Sequence, residues 1–158
     1  CPCGYLGDPN HECTCSAMQI QRYESRLSGP LLDRIDLHLE VPAVPFKKIS
    51  AESSGESSFE IRSRVSSASA IQKERFSKRK NFYNNGQMTP RDLKKYCVLD
   101  NACRDLLEEA VNRLRLSARS YHRILKIART IADLAESETI MSTHIAEAVQ
   151  YRRLDRKR

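Results

Sequence analysis

Residues 28–42 read Ser-Gly-Pro-Leu-Leu-Asp-Arg-Ile-Asp-Leu-His-Leu-Glu-Val-Pro, and the rest of the chain is organised around them. The Gly29-Pro30 pair interrupts whatever element precedes it. Residues 36–41 alternate polar and apolar side chains, which predicts a short β-strand with one buried face. Pro42 ends that strand because proline cannot donate a hydrogen bond to a neighbouring strand. Arg34 is therefore expected at the mouth of a short apolar strand.

The remaining sequence predicts helices, because apolar residues recur at three- and four-residue steps behind good N-cap residues. Ser57 and Glu60 form a capping box, and Thr89, Asp100 and Ser117 open later helices. The fold class is therefore mainly α, a helical bundle after a small α/β remnant with a cysteine-rich loop. Helices are expected at residues 16–27, 59–80, 90–96, 101–116, 118–136 and 143–155. The expected domains are 1–45, a Ser-rich linker at 46–58, and 59–158.

Composition limits the class of protein. The chain has 158 residues, of which 40% are hydrophobic and 30% charged, as in a globular domain. It has no apolar run of about 18 residues that could span a bilayer and no N-terminal signal pattern. We therefore expect a cytoplasmic protein without a membrane partner. Because the sequence begins at Cys1 rather than methionine, we expect it to be a piece of a longer protein.

Four of the six cysteines form two pairs, Cys1-Pro-Cys3 and Cys13-Thr-Cys15, joined by a loop rich in turn-forming residues. In a protein without a secretory signal, cysteines predict metal ligands or core thiols rather than disulfides. Four thiolates complete the tetrahedral shell of structural Zn²⁺, and His11 is an alternative to one of them. A redox-labile cluster and reduced structural thiols remain open alternatives. Cys97 and Cys103 lack a partner at ligand spacing, and we expect both in the core.

Positive charge is concentrated in residues 61–96, which hold ten Lys or Arg against Glu74 and Asp92, a net charge of +8. A concentrated basic surface binds nucleic-acid phosphates because their neutralisation releases counterions. We therefore expect DNA as a partner, and a solvated helix face is the alternative. The predicted DNA-binding side chains are Lys73, Arg75, Lys78, Arg79 and Lys80.

Several basic side chains are candidates for contact with a nucleotide. The guanidinium of Arg34 matches phosphate oxygens, so Arg34 is a candidate arginine finger. Its alternative role is an ion pair with a neighbouring aspartate, Asp33 or Asp36, and Arg26 competes with it for the nucleotide.

A second group of candidates lies in the helix predicted at 118–136. Arg119 stands in its first turn, where the helix dipole disfavours a cation unless an anion is near. This mismatch indicates phosphate binding, and a plain surface arginine is the alternative. His122 and Arg123 follow one turn later and are further nucleotide-proximal candidates.

Four segments of the sequence together carry a resemblance to one known family. These segments are Cys1-Pro-Cys-Gly4, Leu31-Leu-Asp-Arg-Ile-Asp36, Leu116-Ser-Ala-Arg119 and Ala128-Arg-Thr-Ile-Ala-Asp133. Through them the chain resembles, over nearly its whole length, the magnesium-chelatase-like AAA+ ATPases of the ComM/YifB type. The resemblance implies that residues 1–45 belong to an AAA+ core and that 59–158 form its helical lid.

The resemblance also implies functional roles. Arg34 matches the arginine finger that acts in trans on the ATP of the neighbouring subunit, and Arg119 matches the sensor 2 arginine that acts in cis. ATP and Mg²⁺ are the implied cofactors, a homo-oligomeric ring, expected to be a hexamer, is the implied assembly, and DNA branch migration in natural transformation is the implied activity. The chain has neither a Gly-Lys-Ser/Thr phosphate loop nor an acidic magnesium-binding strand, so we expect no ATP hydrolysis by it alone.

Other functions are compatible with the sequence. A metal-chelatase-type motor shares the Leu-Leu-Asp-Arg element, although the cysteine pairs favour the ComM/YifB type. A protein-remodelling motor is a further alternative. A non-enzymatic, zinc-dependent DNA-binding module is an alternative of a different class, and it requires this chain alone to bind DNA with a steep salt dependence.

Overall fold

The structure, a computed structural model, describes residues 1–39, 41, 44 and 55–152. These residues divide into two compact units, the first with Cys1–Ile35 and residues 39, 41 and 44, the second with Asp36–His38 and residues 55–152. The described residues contain seven α-helices and one 3-10 turn, which confirms the mainly α class. Most of the predicted linker at 46–58 lies outside the described residues. No helix in the described ranges is both long and apolar enough to cross a membrane.

The first unit contains the cysteine-rich loop and two short helices, α1 (Ala17–Glu24) and α2 (Gly29–Leu32). Ser16 caps α1 in a capping box with Gln19, and Ser28 caps α2 by accepting from the Leu31 amide. The helix predicted at 16–27 is thus confirmed with shorter ends. Neither helix has a buried residue.

The strand predicted at 36–41 is wrong for the residues that the structure describes there, 36–39 and 41. A strand needs a neighbour to satisfy its backbone groups. The His38 amide instead donates to the Tyr151 carbonyl at 2.8 Å, at the end of the last helix. The predicted buried face is wrong as well, because its apolar side chains, Leu37, Leu39 and Val41, are exposed, whereas His38 of the polar face is buried.

The second unit is a bundle of five α-helices. Ser57, Thr89, Asp100 and Ser117 each cap a helix, as predicted, by accepting a backbone hydrogen bond. The predicted helices 59–80 and 143–155 end earlier, at Arg75 and at Gln150. The helices are α3 (Ser58–Arg75), α4 (Pro90–Tyr96), α5 (Asn101–Leu114), α6 (Ala118–Leu134) and α7 (Ser142–Gln150), with the 3-10 turn at Asn85–Gln87.

Helix α6 is the centre of this bundle, since it packs against α3, α4, α7 and the 3-10 turn. Its Ile124 and Ala128 are fully buried. Cys97 and Cys103 lie in the same core, as predicted. The first turns of α3 lie outside this core, because their apolar side chains Ile61 and Val65 are 43% and 52% exposed.

A buried ionic network crosses this core around Asp133. The Asp133 carboxylate accepts from the Arg75 guanidinium at 2.7 and 2.5 Å and from Nε of Arg129 at 3.0 Å. The Asn85 amide donates to Asp133 at 2.7 Å and to the Thr130 hydroxyl at 3.1 Å. Because Arg75 is in α3 and Asn85 in the 3-10 turn, one carboxylate joins three elements. We call this set the Asp133 network.

We expect Asp133→Asn to lower the free energy of unfolding by about 3–5 kcal/mol, because it leaves two buried guanidinium groups without their counter-ion. Asp105→Asn, on the exposed face of α5, is the matched control and should stay within about 0.5 kcal/mol of the wild type. Urea unfolding followed by circular dichroism measures both. A loss below 1 kcal/mol in Asp133→Asn would contradict this role for the carboxylate.

Candidate nucleotide groove and cysteine cluster

Four basic side chains share one face of α6. Positions 119, 122, 123 and 126 follow the three- and four-residue steps that place side chains on one side of a helix. The three predicted candidates of this helix therefore lie together, and Lys126 joins them. These four side chains border a groove of about 380 Å³. The residues that line it are Met88, Pro90, Leu93, Ala118, Arg119, His122, Arg123 and Lys126. We call it the α6 groove.

The α6 groove concentrates positive charge at the positive end of the helix. Arg119 is exposed in the first turn, two residues after the N-cap Ser117. Lys126 Nζ donates to the Gly86 carbonyl at 2.7 Å. Burial lowers the pKa of Lys126, and the nearby charge of Arg123 lowers it further. A phosphate group in the groove would relieve this repulsion.

Arg123 has a carboxylate partner within the second unit. Its guanidinium forms an ion pair with Asp36. Asp36 was one of the predicted partners of Arg34, and its carboxylate contacts Arg123. The Asp36 side chain is 65% exposed, so the pair contributes about 0–1 kcal/mol. An anion in the groove therefore competes with Asp36 for Arg123 at little cost.

The predicted arginines of the first unit are both on its surface. Arg34 is exposed just after α2, and its Nη1 donates to the Pro30 carbonyl at 2.8 Å. The Arg26 guanidinium lies 5.7 Å from the centre of the Tyr23 ring, a cation–π contact. Both side chains therefore contact residues of their own unit.

The four predicted cysteines lie together in the first unit. Their Sγ atoms are all within 4.8 Å of one another, and all four thiols are free. Cys1 and Cys3 are 3.4 Å apart, Cys3 and Cys13 3.5 Å, and Cys13 and Cys1 3.7 Å, measured between Sγ atoms. The two pairs, nine residues apart in sequence, thus form a single cluster.

Backbone amides surround this cluster and favour thiolates. The Leu6 amide donates to Cys1 Sγ at 3.2 Å. The Tyr5 amide is the main cause that lowers the pKa of Cys3 to about 7. The Cys15 amide acts in the same direction on Cys13, but burial and the sulfurs of Cys3 and Cys15 raise the pKa of Cys13 overall.

His11, the predicted alternative ligand, lies outside this cluster. Its ring stacks on Tyr5 with 4.8 Å between ring centres, and its Nδ1 lies 3.8 Å from the Asp8 carboxylate. The loop between the cysteine pairs thus presents a stacked Tyr–His pair beside the four sulfurs.

The predicted DNA-binding residues separate into two groups. Lys73, Lys78 and Lys80 are exposed. The Arg75 guanidinium belongs to the Asp133 network, with a side chain only 13% exposed. Arg79 donates to both oxygens of Asp92 at 2.8 Å and lies 3.6 Å above the Phe82 ring. Arg75 is therefore not part of the exposed basic surface, and the guanidinium of Arg79 is paired with Asp92.

Family models match the chain over almost its whole described length. The model described as magnesium chelatase, subunit ChlI C-terminal, matches residues 55–152. The model described as magnesium chelatase, subunit ChlI, matches residues 1–49.

The chain belongs to the magnesium chelatase subunit ChlI family. It is therefore an AAA+ family member of the magnesium-chelatase-like, ComM/YifB kind. The competence protein ComM of Haemophilus influenzae is 42% identical over 96% of this chain and 28% of its own length. The protein YifB of Escherichia coli is 41% identical over 96% of this chain and 29% of its own length. An uncharacterised protein of Mycobacterium tuberculosis is 32% identical over 100% of the chain and 31% of its own length. The chain thus spans less than a third of the relatives it matches.

In this member of the ChlI family, one of the segments that carried the resemblance has a structural role. Arg129 and Asp133, both in Ala128–Asp133, form the buried pair of the Asp133 network. Arg129 also donates to the carbonyls of Glu138 at 2.8 Å and Ser137 at 2.5 Å. Sequence reasoning missed this pair, although an Arg and an Asp four residues apart on an apolar helix face were a visible signal.

In this ChlI-family chain, the Asp92 carboxylate makes a pH-dependent contribution to the stability of the helical lid. Burial alone would raise the pKa of its carboxyl, but hydrogen bonds from Thr89 and Arg79 lower it to about 2. Since its folded pKa lies below the unfolded value, Asp92 stabilises the fold above about pH 4 and loses that contribution as the pH falls towards 2.

We expect Asp92→Asn to lower the free energy of unfolding by about 1–2 kcal/mol at pH 6. This loss is smaller than the full pKa shift of Asp92 would give, because Arg79 is partly exposed to solvent. The difference from wild type should shrink between pH 4 and pH 2, because the wild-type carboxyl becomes protonated over this range. Urea midpoints at each pH measure it. A difference that stays constant down to pH 2 would show that the carboxylate charge is not involved.

Proposed function

We propose that this chain is part of a cytoplasmic, ATP-hydrolysing AAA+ motor that works as a homo-oligomeric ring, a hexamer, on DNA. The observation that carries the proposal is the α6 groove. It combines a helix N-terminus, two arginines, a histidine and a lysine in one concave surface. Such a surface has the positive charge and the hydrogen-bond donors that bind the phosphates of a nucleoside triphosphate.

Each basic residue has a distinct task in this proposal. Arg119 contacts the γ-phosphate of the nucleotide held by its own subunit, as a sensor 2 residue. Arg123, His122 and Lys126 line the same groove and add donors around the phosphates. Arg34 acts on the ATP of the neighbouring subunit, where a guanidinium stabilises the charge that develops on the transferred phosphoryl group.

The remaining parts of the ATP site belong to other segments of the longer protein. Bound Mg²⁺ would neutralise charge on the β- and γ-phosphates. This chain contributes no phosphate loop, so its basic residues supply only part of the contacts to the phosphates. Hydrolysis therefore requires the whole protein and its ring.

DNA is the proposed substrate for two reasons. Lys73, Lys78 and Lys80 present exposed positive charge at the end of α3 and just beyond it. The Haemophilus relative is named a competence protein, and we propose DNA branch migration during natural transformation as the activity of the motor to which this chain belongs.

A second candidate is a metal-chelatase-type or protein-remodelling motor. The description of the family models as magnesium chelatase favours it. The two candidates differ in the substrate and share the ATP site. DNA that leaves ATP turnover unchanged in the full-length protein would favour this second candidate.

We expect Arg34→Ala and Arg119→Ala each to lower ATP turnover of the full-length ring by roughly 10³-fold. Mixing the two inactive variants should restore activity, because a head-to-tail ring then contains complete sites at about a quarter of its interfaces. Arg22→Ala, an exposed arginine of α1, and Arg113→Ala, at the end of α5, are matched controls with normal turnover. No restoration on mixing would contradict a division between trans and cis arginines.

For the DNA surface, we expect the double variant Lys78→Ala, Lys80→Ala to weaken DNA binding by the full-length protein. The slope of log K against log salt should fall by about 1–2, since each lysine releases about one counterion. Arg104→Ala with Arg113→Ala removes the same charge from α5 and should leave the slope unchanged. An equal change of slope in both double variants would show that DNA binding depends on the overall charge of the protein rather than on this surface.

A further inference from the structure

We propose that Cys1, Cys3, Cys13 and Cys15 bind one Zn²⁺ ion as four thiolates in a closed structural site. The proposal is separate from the nucleotide site, since all four ligands belong to the first unit. Failure of one proposal therefore leaves the other standing.

The distances between the sulfur atoms fit a single ion. A tetrahedral site with zinc–sulfur bonds of about 2.3 Å places its ligands about 3.8 Å apart. The measured Sγ separations are 3.4, 3.5 and 3.7 Å, and no pair of the four exceeds 4.8 Å. One ion at the centre can therefore reach all four sulfurs.

The same distances disfavour two other uses of the cysteines. A disulfide requires sulfur atoms about 2.05 Å apart, well below the separations in this cluster. A polynuclear iron–sulfur cluster places several irons and inorganic sulfides between its thiolates. Sulfurs within 4.8 Å of one another leave no room for such a core.

The loop backbone is shaped to hold the sulfurs together. Gly4 and Gly7 have φ values of +86° and +81°, which glycine adopts without strain. The turn at Gly4 is closed by its amide, which donates to the Cys1 carbonyl at 3.2 Å. The Leu6 amide then points at Cys1 Sγ, an outer contact of the kind that orients metal ligands.

Zinc at this position would fix the start of α1. Cys15 immediately precedes Ser16, the N-cap whose side chain and backbone form the capping box of that helix. Binding replaces the thiol protons by four zinc–sulfur bonds, and the protons pass to solvent. The reaction changes no oxidation state, so it needs no oxidant or reductant.

The direct test is the metal content of the whole 158-residue chain, purified under reducing conditions without chelators. We expect about one zinc per chain by elemental analysis. Cys13→Ser should retain less than about a tenth of that zinc, because three thiolates leave the shell open. His11→Ala is the matched control, since it lies in the same loop outside the sulfur cluster, and it should keep the full amount.

A second measurement remains informative if Cys13→Ser does not fold. Replacement of zinc by Co²⁺ in the wild-type chain should give the visible absorption of a tetrahedral thiolate site. Removal of the metal by a chelator should speed amide exchange in residues 4–14, with α6 as the internal reference. Three results would each overturn the proposal. They are four metal-free thiols after addition of excess Zn²⁺, disulfides among the four cysteines, and iron bound in place of zinc.

Discussion

The second unit depends on the buried carboxylate of Asp133, which is shared by Arg75 of α3 and Arg129 of α6. Removing the carboxylate would leave two guanidinium groups without a counter-ion in a water-poor core, so this shared anion holds α3 and α6 in one arrangement. Arg129 also binds the carbonyls that follow α6, which anchors the C-terminal end of that helix. A helix held at its end and through its buried face has a defined orientation, and its first turns then present one constant face to solvent. The α6 groove is the consequence of that anchoring.

Much of the helical fold could be predicted because its determinants are local. Ser57, Thr89, Asp100 and Ser117 each lie within three residues of the amide that they cap, so the sequence alone indicates where four helices begin. The strand at 36–41 failed for the opposite reason. Its alternation is local, but a strand requires neighbours, and the His38 amide is satisfied by a helix terminus instead. Burial of Arg129 and Asp133 was missed because charge compensation by Arg75 comes from 58 residues away.

The candidate sites show the same difference between features set by local sequence and features set by tertiary contacts. Spacing along one chain segment was enough to place the four cysteines in one cluster and three basic residues on one face of α6. The tasks of Arg75 and Arg79 could not be predicted, because an arginine in a charge-rich segment has the same sequence signal whether it binds phosphate or a distant carboxylate. The pairing of Asp36 with Arg123 is likewise a tertiary contact, 87 residues apart in sequence. The structure thus reduces the predicted DNA surface and enlarges the predicted nucleotide site by Lys126.

The proposed function requires the α6 groove to bind the phosphates of a nucleotide. An NMR titration of this chain with ATP, which follows every backbone amide, tests this binding. The largest shifts should fall within residues 118–126 and at Gly86, whose carbonyl accepts a hydrogen bond from Lys126, and Arg119→Ala should abolish them. Shifts centred on residues 73–80 instead, or none in the groove at saturating ATP, would show that the α6 groove is not the phosphate site.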